Sequence, residues 1–336
     1  MSDDEGANFD ELAGAFQADY ARIVQQVGRV IVGLDEVIEQ VMVCLLSGGH
    51  ALLEGVPGLG KTLLVRTLAE ALDLTFGRIQ FTPDLMPADI IGTNIVDTDE
   101  SGARGFHFQR GPIFGNLILA DEINRATPKT QSAVLEAMQE QAVTVARRRH
   151  RLPDPFFVLA TQNPLEMEGT YPLPEAQVDR FMFKVHVPPP QIDALVAILD
   201  RTTGAETPSA EKVVSGDRIA QMRQLARQVV VASHVKEHIG RLVLATSPDG
   251  ELAPEAVRKF VRYGSSPRGG QAIILAAKVL ALRDGRANVA FADVRKVVHP
   301  ALRHRLILSF EGQAEGAEPD DIIDSALAAV PEGEAL

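Results

Sequence analysis

The segment GVPGLGKT at residues 55–62 constrains this chain more than any other, because its G-x-x-x-x-G-K-[ST] spacing belongs between a strand and a helix. The flanks fit that placement. Ala51, Leu52 and Leu53 read as a buried strand, and Leu64, Leu68 and Leu72 recur at helical spacing. Gly55, Gly58 and Gly60, with Pro57 among them, let the backbone turn sharply enough for amide hydrogens to surround phosphate oxygens. The helix that follows offers its positive N-terminal end. Lys61 is placed to neutralise the β and γ phosphates and Thr62 to put its hydroxyl on Mg2+, with Leu63 completing the nucleotide-binding turn. ATP and Mg2+ are the expected ligands.

A second strand carries the acids that such a loop needs. In NLILADEIN, 116–124, the continuous apolar run 117–120 suits a buried parallel strand, and Asp121 and Glu122 stand at its carboxyl end, where ligands bind in open α/β sheets. Asp121 is expected to hold Mg2+ through its water shell and Glu122 to polarise the water attacking the γ-phosphate. The run 155–164 is another apolar strand with polar residues at its end, where Asn163 can hydrogen-bond that water or the γ-phosphate. Arg180 precedes the apolar strand 181–187 and is expected to project from the subunit edge. Pro188, Pro189 and Pro190 end the first domain, since three prolines cannot continue sheet or helix hydrogen bonding.

The remaining segments are less specific. Phe9, Leu12, Phe16, Tyr20, Ile23, Val27 and Val30 mark an amphipathic helix over 9–30, and a second helix is expected over 34–46. Between them, Ile31, Val32 and Gly33 form either an adenine pocket or simple core packing. Residues 93–109 read as an inserted hairpin around a polar turn at 98–104, either a partner contact or a solvated loop. A further hairpin is expected over 141–155; its basic run at 147–151 reads as a solvated face, with nucleic-acid contact the alternative.

From residue 191 the pattern is helical, at 192–199, 219–230, 235–244, 254–263, 267–283 and 291–299, which predicts a separate helical domain over 191–310. Arg268 falls in the first turn of the longest of these helices, where a cation opposes the helix dipole and an anionic partner would remove the objection.

Charge is concentrated at the ends of the chain. The 336 residues carry a net charge of −12, but residues 1–20 hold six acids and residues 311–336 eight, with no Lys or Arg in either. The body between them has 31 acids against 33 bases, so the ends read as solvated acidic tails. No apolar run approaches a membrane span, and the acidic N-terminus lacks the regions of a signal peptide, so a cytoplasmic protein is expected. Cys44, the lone cysteine, reads as a small core residue, and the eight histidines lack ligand spacing.

Taken together, GVPGLGKT, FTPDLMPADIIG, GPIFGNLILADEINRA, FFVLATQNP, EGTYPLPEAQVDRF and SPRGGQA make the chain resemble the MoxR family of AAA+ ATPases over residues 30–308. The resemblance implies an α/β P-loop core over 31–190, with a parallel sheet between helices, followed by an all-α lid. It also implies Lys61 and Thr62 as Walker A, Asp121 and Glu122 as Walker B, Asn163 as sensor 1, Arg180 as an arginine finger acting on a neighbour, and Arg268 as sensor 2 sensing the γ-phosphate from the lid. A head-to-tail ring, usually a hexamer, follows from an arginine supplied in trans. Families of this kind remodel or mature protein clients, often with a von Willebrand A-domain partner, including metal or cofactor insertion into a client enzyme. A nucleic-acid-dependent motor and a chelatase-type subunit are the alternatives.

Overall fold

The computed structural model describes residues 3–98, 104–163, 169–204 and 208–332. Two helices, α1 (Asp3–Val30) and α2 (Asp35–Ser47), precede β1 (Ala51–Glu54), the phosphate-loop segment and α3 (Lys61–Ala71). Next come β2 (Phe76–Gln80), α4 (Pro87–Ile91), the hairpin strands β3 (Gly92–Thr98) and β4 (Arg104–Arg110), β5 (Leu117–Asp121) and α5 (Pro128–Glu140). A second hairpin, β6 (Ala142–Val145) and β7 (Arg148–Arg151), leads to β8 (Phe157–Gln162), α6 (Glu175–Val178) and β9 (Phe183–His186). The turn expected at 98–104 lies largely outside the described residues.

Strands β1, β2, β5, β8 and β9 form one sheet in the order β2-β5-β8-β1-β9 with every neighbour parallel. Alternation along each strand divides the core between the two faces. Leu53, Leu117, Leu119, Phe157 and Leu159 join the core beneath α1, α2 and α3. Leu52, Ile118, Ala120, Val158 and Ala160 join the one beneath α5. Because the sheet is parallel, the loops after β1, β5 and β8 leave from the same edge, which brings three distant segments together.

The helices beyond Pro190 are α7 (Ile192–Thr203), α8 (Gly216–Gln228), α9 (Ser233–Ala245), α10 (Glu255–Phe260), α11 (Pro267–Arg283) and α12 (Phe291–Leu302). They pack on one another, α11 against α8, α9 and α12, and also on the core. Ala272, Ile273 and Ala276 of α11 share one buried cluster with Val41, Met42 and Leu45 of α2, because small residues on α11 let the two helices approach. Arg223 adds a hydrogen bond to the Leu45 carbonyl at 2.8 Å, and Arg283 an ion pair with Glu39 at 2.5 Å. The helical region expected over 191–310 thus rests directly on α2 of the core.

Two expectations are corrected. The helix expected over 254–263 stops at Phe260, and β10 (Val261–Tyr263) pairs antiparallel with β11 (Ile307–Leu308), a ladder too short to leave an alternating pattern in sequence. Nor is 311–332 a solvated tail. It contains α13 (Phe310–Glu315) and α14 (Pro319–Ala329), with Ile322, Ile323, Ala326 and Val330 buried. Several of its acids are paired instead, among them Asp320 with Arg303 at 2.8 Å and Glu315 with Lys259 at 3.0 Å. At the other end Phe16 and Tyr20 are buried and Asp19 pairs with Arg218 at 2.7 Å, so α1 is likewise part of the body. Among the described residues no helix is long and apolar enough to cross a membrane.

His50, just ahead of β1, is buried with both ring nitrogens used: Nδ1 accepts the Val158 N–H at 3.0 Å, which leaves Nε2 to donate to the Met138 carbonyl at 3.2 Å. That network needs the neutral ring, and burial lowers its pKa from 6.5 to about 4. An unfolded chain takes up this proton near pH 6.5 and the folded one only near 4, so stability is lost as pH falls through that window. The contribution is about 3 kcal/mol at most. Denaturant unfolding of wild type and His50→Gln between pH 7 and 4 should give a shallower pH slope for the variant; equal slopes would remove His50 from the pH dependence.

Candidate active site

The phosphate loop crosses from β1 to α3 in the conformation its glycines permit. Gly58 and Gly60 have φ of +84° and +77°, the left-handed region that favours glycine. Gly55 is needed for closeness instead, since a Cβ there would lie 2.9 Å from the Val187 carbonyl oxygen. Its N–H donates to the Gln162 carbonyl at 3.3 Å, tying the loop to the end of β8. Pro57 is exposed at the loop's tip. Lys61 Nζ donates to the Gly55 carbonyl at 2.6 Å and so lies back across the loop. Burial lowers its pKa, while Asp121, Glu122 and Glu54 pull the other way. Thr62 lies in the first turn of α3.

Beside the loop, Val32, Gly58, Leu59, Gly60, Leu63 and Pro188 border an apolar cavity of about 280 Å3. Ile31, largely buried in the core, and Val32 both border this cavity. Gly33, at φ +72°, passes so close to α7 that an added Cβ would meet the Ala194 Cβ at 2.6 Å.

The acids at the end of β5 are held by residues that motif spacing does not reveal. Thr161 on β8 is buried; its hydroxyl donates to Asp121 Oδ1 at 2.7 Å and accepts the Glu122 N–H at 2.8 Å. Arg78 Nη2 donates to Asp121 Oδ2 at 2.7 Å. Glu122 Oε2 accepts Gln80 Nε2 and Arg125 Nη1, both at 2.9 Å. Arg78 and Gln80 lie on β2, whose register sets Gln80 opposite Asp121, so only the strand order identifies them. Glu122 adopts φ 57°, ψ 48°, a left-handed conformation that a non-glycine residue holds at some cost and that turns the chain sharply after Asp121. Asn163, buried just beyond β8, borders a cavity of about 450 Å3 together with Glu54, Gln162 and Lys184.

These residues fit a magnesium nucleotide. One hydroxyl and one carboxylate form the sparse donor set typical of Mg2+, which keeps waters and takes its remaining oxygens from substrate phosphates. The positive-φ glycines leave open space over the loop, with nothing within 4 Å of a Cβ built at Gly58 or Gly60.

The arginines lie elsewhere. Arg180 is exposed, and its Nη1 donates to the Leu135 carbonyl of α5 at 3.0 Å. Arg268 Nη1 contacts Asp179 Oδ2 at 3.3 Å. Both border one cavity with Gly49, His50 and Met182, residues that precede β1 and β9. The phosphate loop follows β1, so the arginines and the loop belong to opposite ends of the sheet, roughly 13 Å apart over the four residues of β1. α11 docks on α2, which carries Arg268 to the same edge as Arg180.

A family model described as the ATPase family associated with various cellular activities (AAA) matches residues 50–183, and a model of the AAA lid domain matches 254–326. The chain is 44% identical over 309 residues to Chaperone MoxR1 of Mycobacterium tuberculosis, covering 92% of this chain and 81% of the relative. It belongs to the MoxR family of AAA ATPases. Protein MoxR of Paracoccus denitrificans is 32% identical over 325 residues, covering 90% of this chain and 93% of that protein. A crystal structure of a candidate ATPase from Cytophaga hutchinsonii superposes with a TM-score of 0.92 at 40% identity, covering 98% of this chain and 99% of the other. As a MoxR-family AAA ATPase the chain binds ATP and is an ATP hydrolase, of a kind that typically forms rings. The lid model reaches into α14, in keeping with a folded rather than tail-like C-terminal segment.

Proposed function

We propose that this MoxR-family ATPase is a chaperone that hydrolyses ATP at sites shared between neighbouring subunits of a head-to-tail ring, a hexamer, to remodel a protein client. The observation that carries the shared site is the location of Arg180 and Arg268 on the edge opposite their own phosphate loop. A heterologous contact that sets this edge against a neighbour's loop closes into a ring. In that arrangement the loop amides and Lys61 bind the β and γ phosphates, and Val32, Leu59 and Leu63 cover the adenine. Glu122 accepts a proton from the attacking water and Asn163 orients it. Thr62 and Asp121 hold Mg2+, which supplies neutralisation of phosphate charge when bound. Arg180 and Arg268 of the neighbour contribute charge-assisted hydrogen bonds to the γ-phosphate as negative charge redistributes toward the leaving oxygen.

The two hairpins carry the work to a client. Val96 and Phe106 pair across β3 and β4 with 60% and 81% exposure, an apolar surface on an element that contributes nothing to the nucleotide site. Phe108 on β4 packs against His150 of β7 with ring centroids 4.2 Å apart and the planes tilted by 31°, which joins the two hairpins. A von Willebrand A-domain protein is the expected partner and a metal- or cofactor-dependent enzyme the expected client. Glu122→Gln protein charged with ATP and Mg2+ should retain both from native lysate. Recovery of DNA with replication or repair proteins in their place would contradict the maturation reading.

A further inference from the structure

Arg305 follows the end of α12, and its guanidinium is buried with all five N–H groups used. Nε donates to Asp179 Oδ1 at 2.8 Å. Nη2 donates to the carbonyls of Asp179 at 3.1 Å and Phe181 at 2.8 Å. Nη1 donates to the carbonyls of Met182 at 3.1 Å and of Ala301. Three of these carbonyls belong to the residues flanking Arg180, so a side chain from the lid region sets the backbone that presents the edge arginine of the core.

The same carboxylate reaches the other arginine. Asp179 Oδ2 accepts Arg268 Nη1 at 3.3 Å and the Ser266 hydroxyl at 3.3 Å. Ser266 in turn caps α11 by accepting the Arg268 N–H at 3.2 Å. One carboxylate thus joins the backbone before Arg180 to the helix start that bears Arg268. Burying a guanidinium and a carboxylate is a weak route to stability, since apolar packing would fasten the same surfaces without the desolvation cost. What the fork supplies is direction, because its planar donors fix five acceptors at once and a lysine cannot reproduce them.

We propose that Arg305 and Asp179 are positioning residues that hold Arg180 and Arg268 as one rigid unit for the reaction at the neighbouring subunit's nucleotide. The inference rests on the reading that those two arginines act in trans. It also assigns the lid region a role: fastened to residues 179–182, it moves with the edge that serves the neighbour.

The test uses full-length Arg305→Lys and Asp179→Asn, the second retaining shape while removing the charge that links both arginines. In each, ATP turnover should fall about 100-fold, the scale of a misplaced catalytic group, with KM for ATP unchanged because the variant's own phosphate loop is intact. Mixing either variant with Glu122→Gln should restore turnover, since the Glu122→Gln subunit presents an intact edge to an intact site. Arg180→Ala mixed with Glu122→Gln is the control. Restoration in the control but not with Asp179→Asn would overturn the positioning role, as would wild-type turnover in Asp179→Asn alone. No restoration in the control would overturn the trans reading itself.

Discussion

Replacing Glu122 by Gln is expected to lower ATP turnover by roughly 10²–10⁴-fold, the range of a general base, while ATP binding is retained. The substitution keeps the shape of the side chain and its hydrogen bond from Gln80 Nε2, now 2.9 Å from Oε2, but removes the basic oxygen that takes a proton from water. The phosphate loop and Lys61 are untouched, so affinity for ATP, measured by titration with a fluorescent analogue, should match wild type. Wild-type turnover in Glu122→Gln would exclude this residue from the proton transfer.

Arg180→Ala is expected to have an effect at least as large, about 10³–10⁵-fold in kcat, the range of an arginine finger. Within its own subunit the side chain donates to the Leu135 carbonyl at 3.0 Å, on an exposed surface, so truncation should leave thermal stability close to wild type. That combination separates a group serving a neighbour from one serving its own fold. A large loss of thermal stability, or turnover within a factor of about two of wild type, would count against the assignment.

The parts of the site that were legible in sequence share a property: chemistry and backbone demand coincide within a few residues. Gly58 and Gly60 need positive φ next to Lys61 and Thr62, and Asp121 and Glu122 end a run of wholly buried residues, so local pattern was enough. The parts that were not legible depend on how distant elements dock. Arg78 and Gln80 reach the acids only because β2 lies beside β5 in that register. Arg268 stands out in sequence as a cation in the wrong place for its helix dipole, but its side of the molecule depends on the alanines that seat α11 against α2. Arg305 sits in a basic stretch, Arg303-His304-Arg305, that resembles a surface patch until the carbonyls of 179–182 fold around it. The terminal acids were misleading for a related reason. Composition counts charges, whereas Asp19, Asp320 and Glu315 each face a base that the fold brings beside it.

The central claim, that each nucleotide site is completed by the arginine edge of a neighbour, is tested most directly by mixing purified Arg180→Ala and Glu122→Gln subunits over a range of ratios. Turnover should be recorded in assemblies shown by mass to contain both. Each variant alone should be nearly inactive, and the mixture should recover activity wherever a Glu122→Gln edge faces an Arg180→Ala site. Mixed rings that stay as inactive as their parents at every ratio would contradict the account.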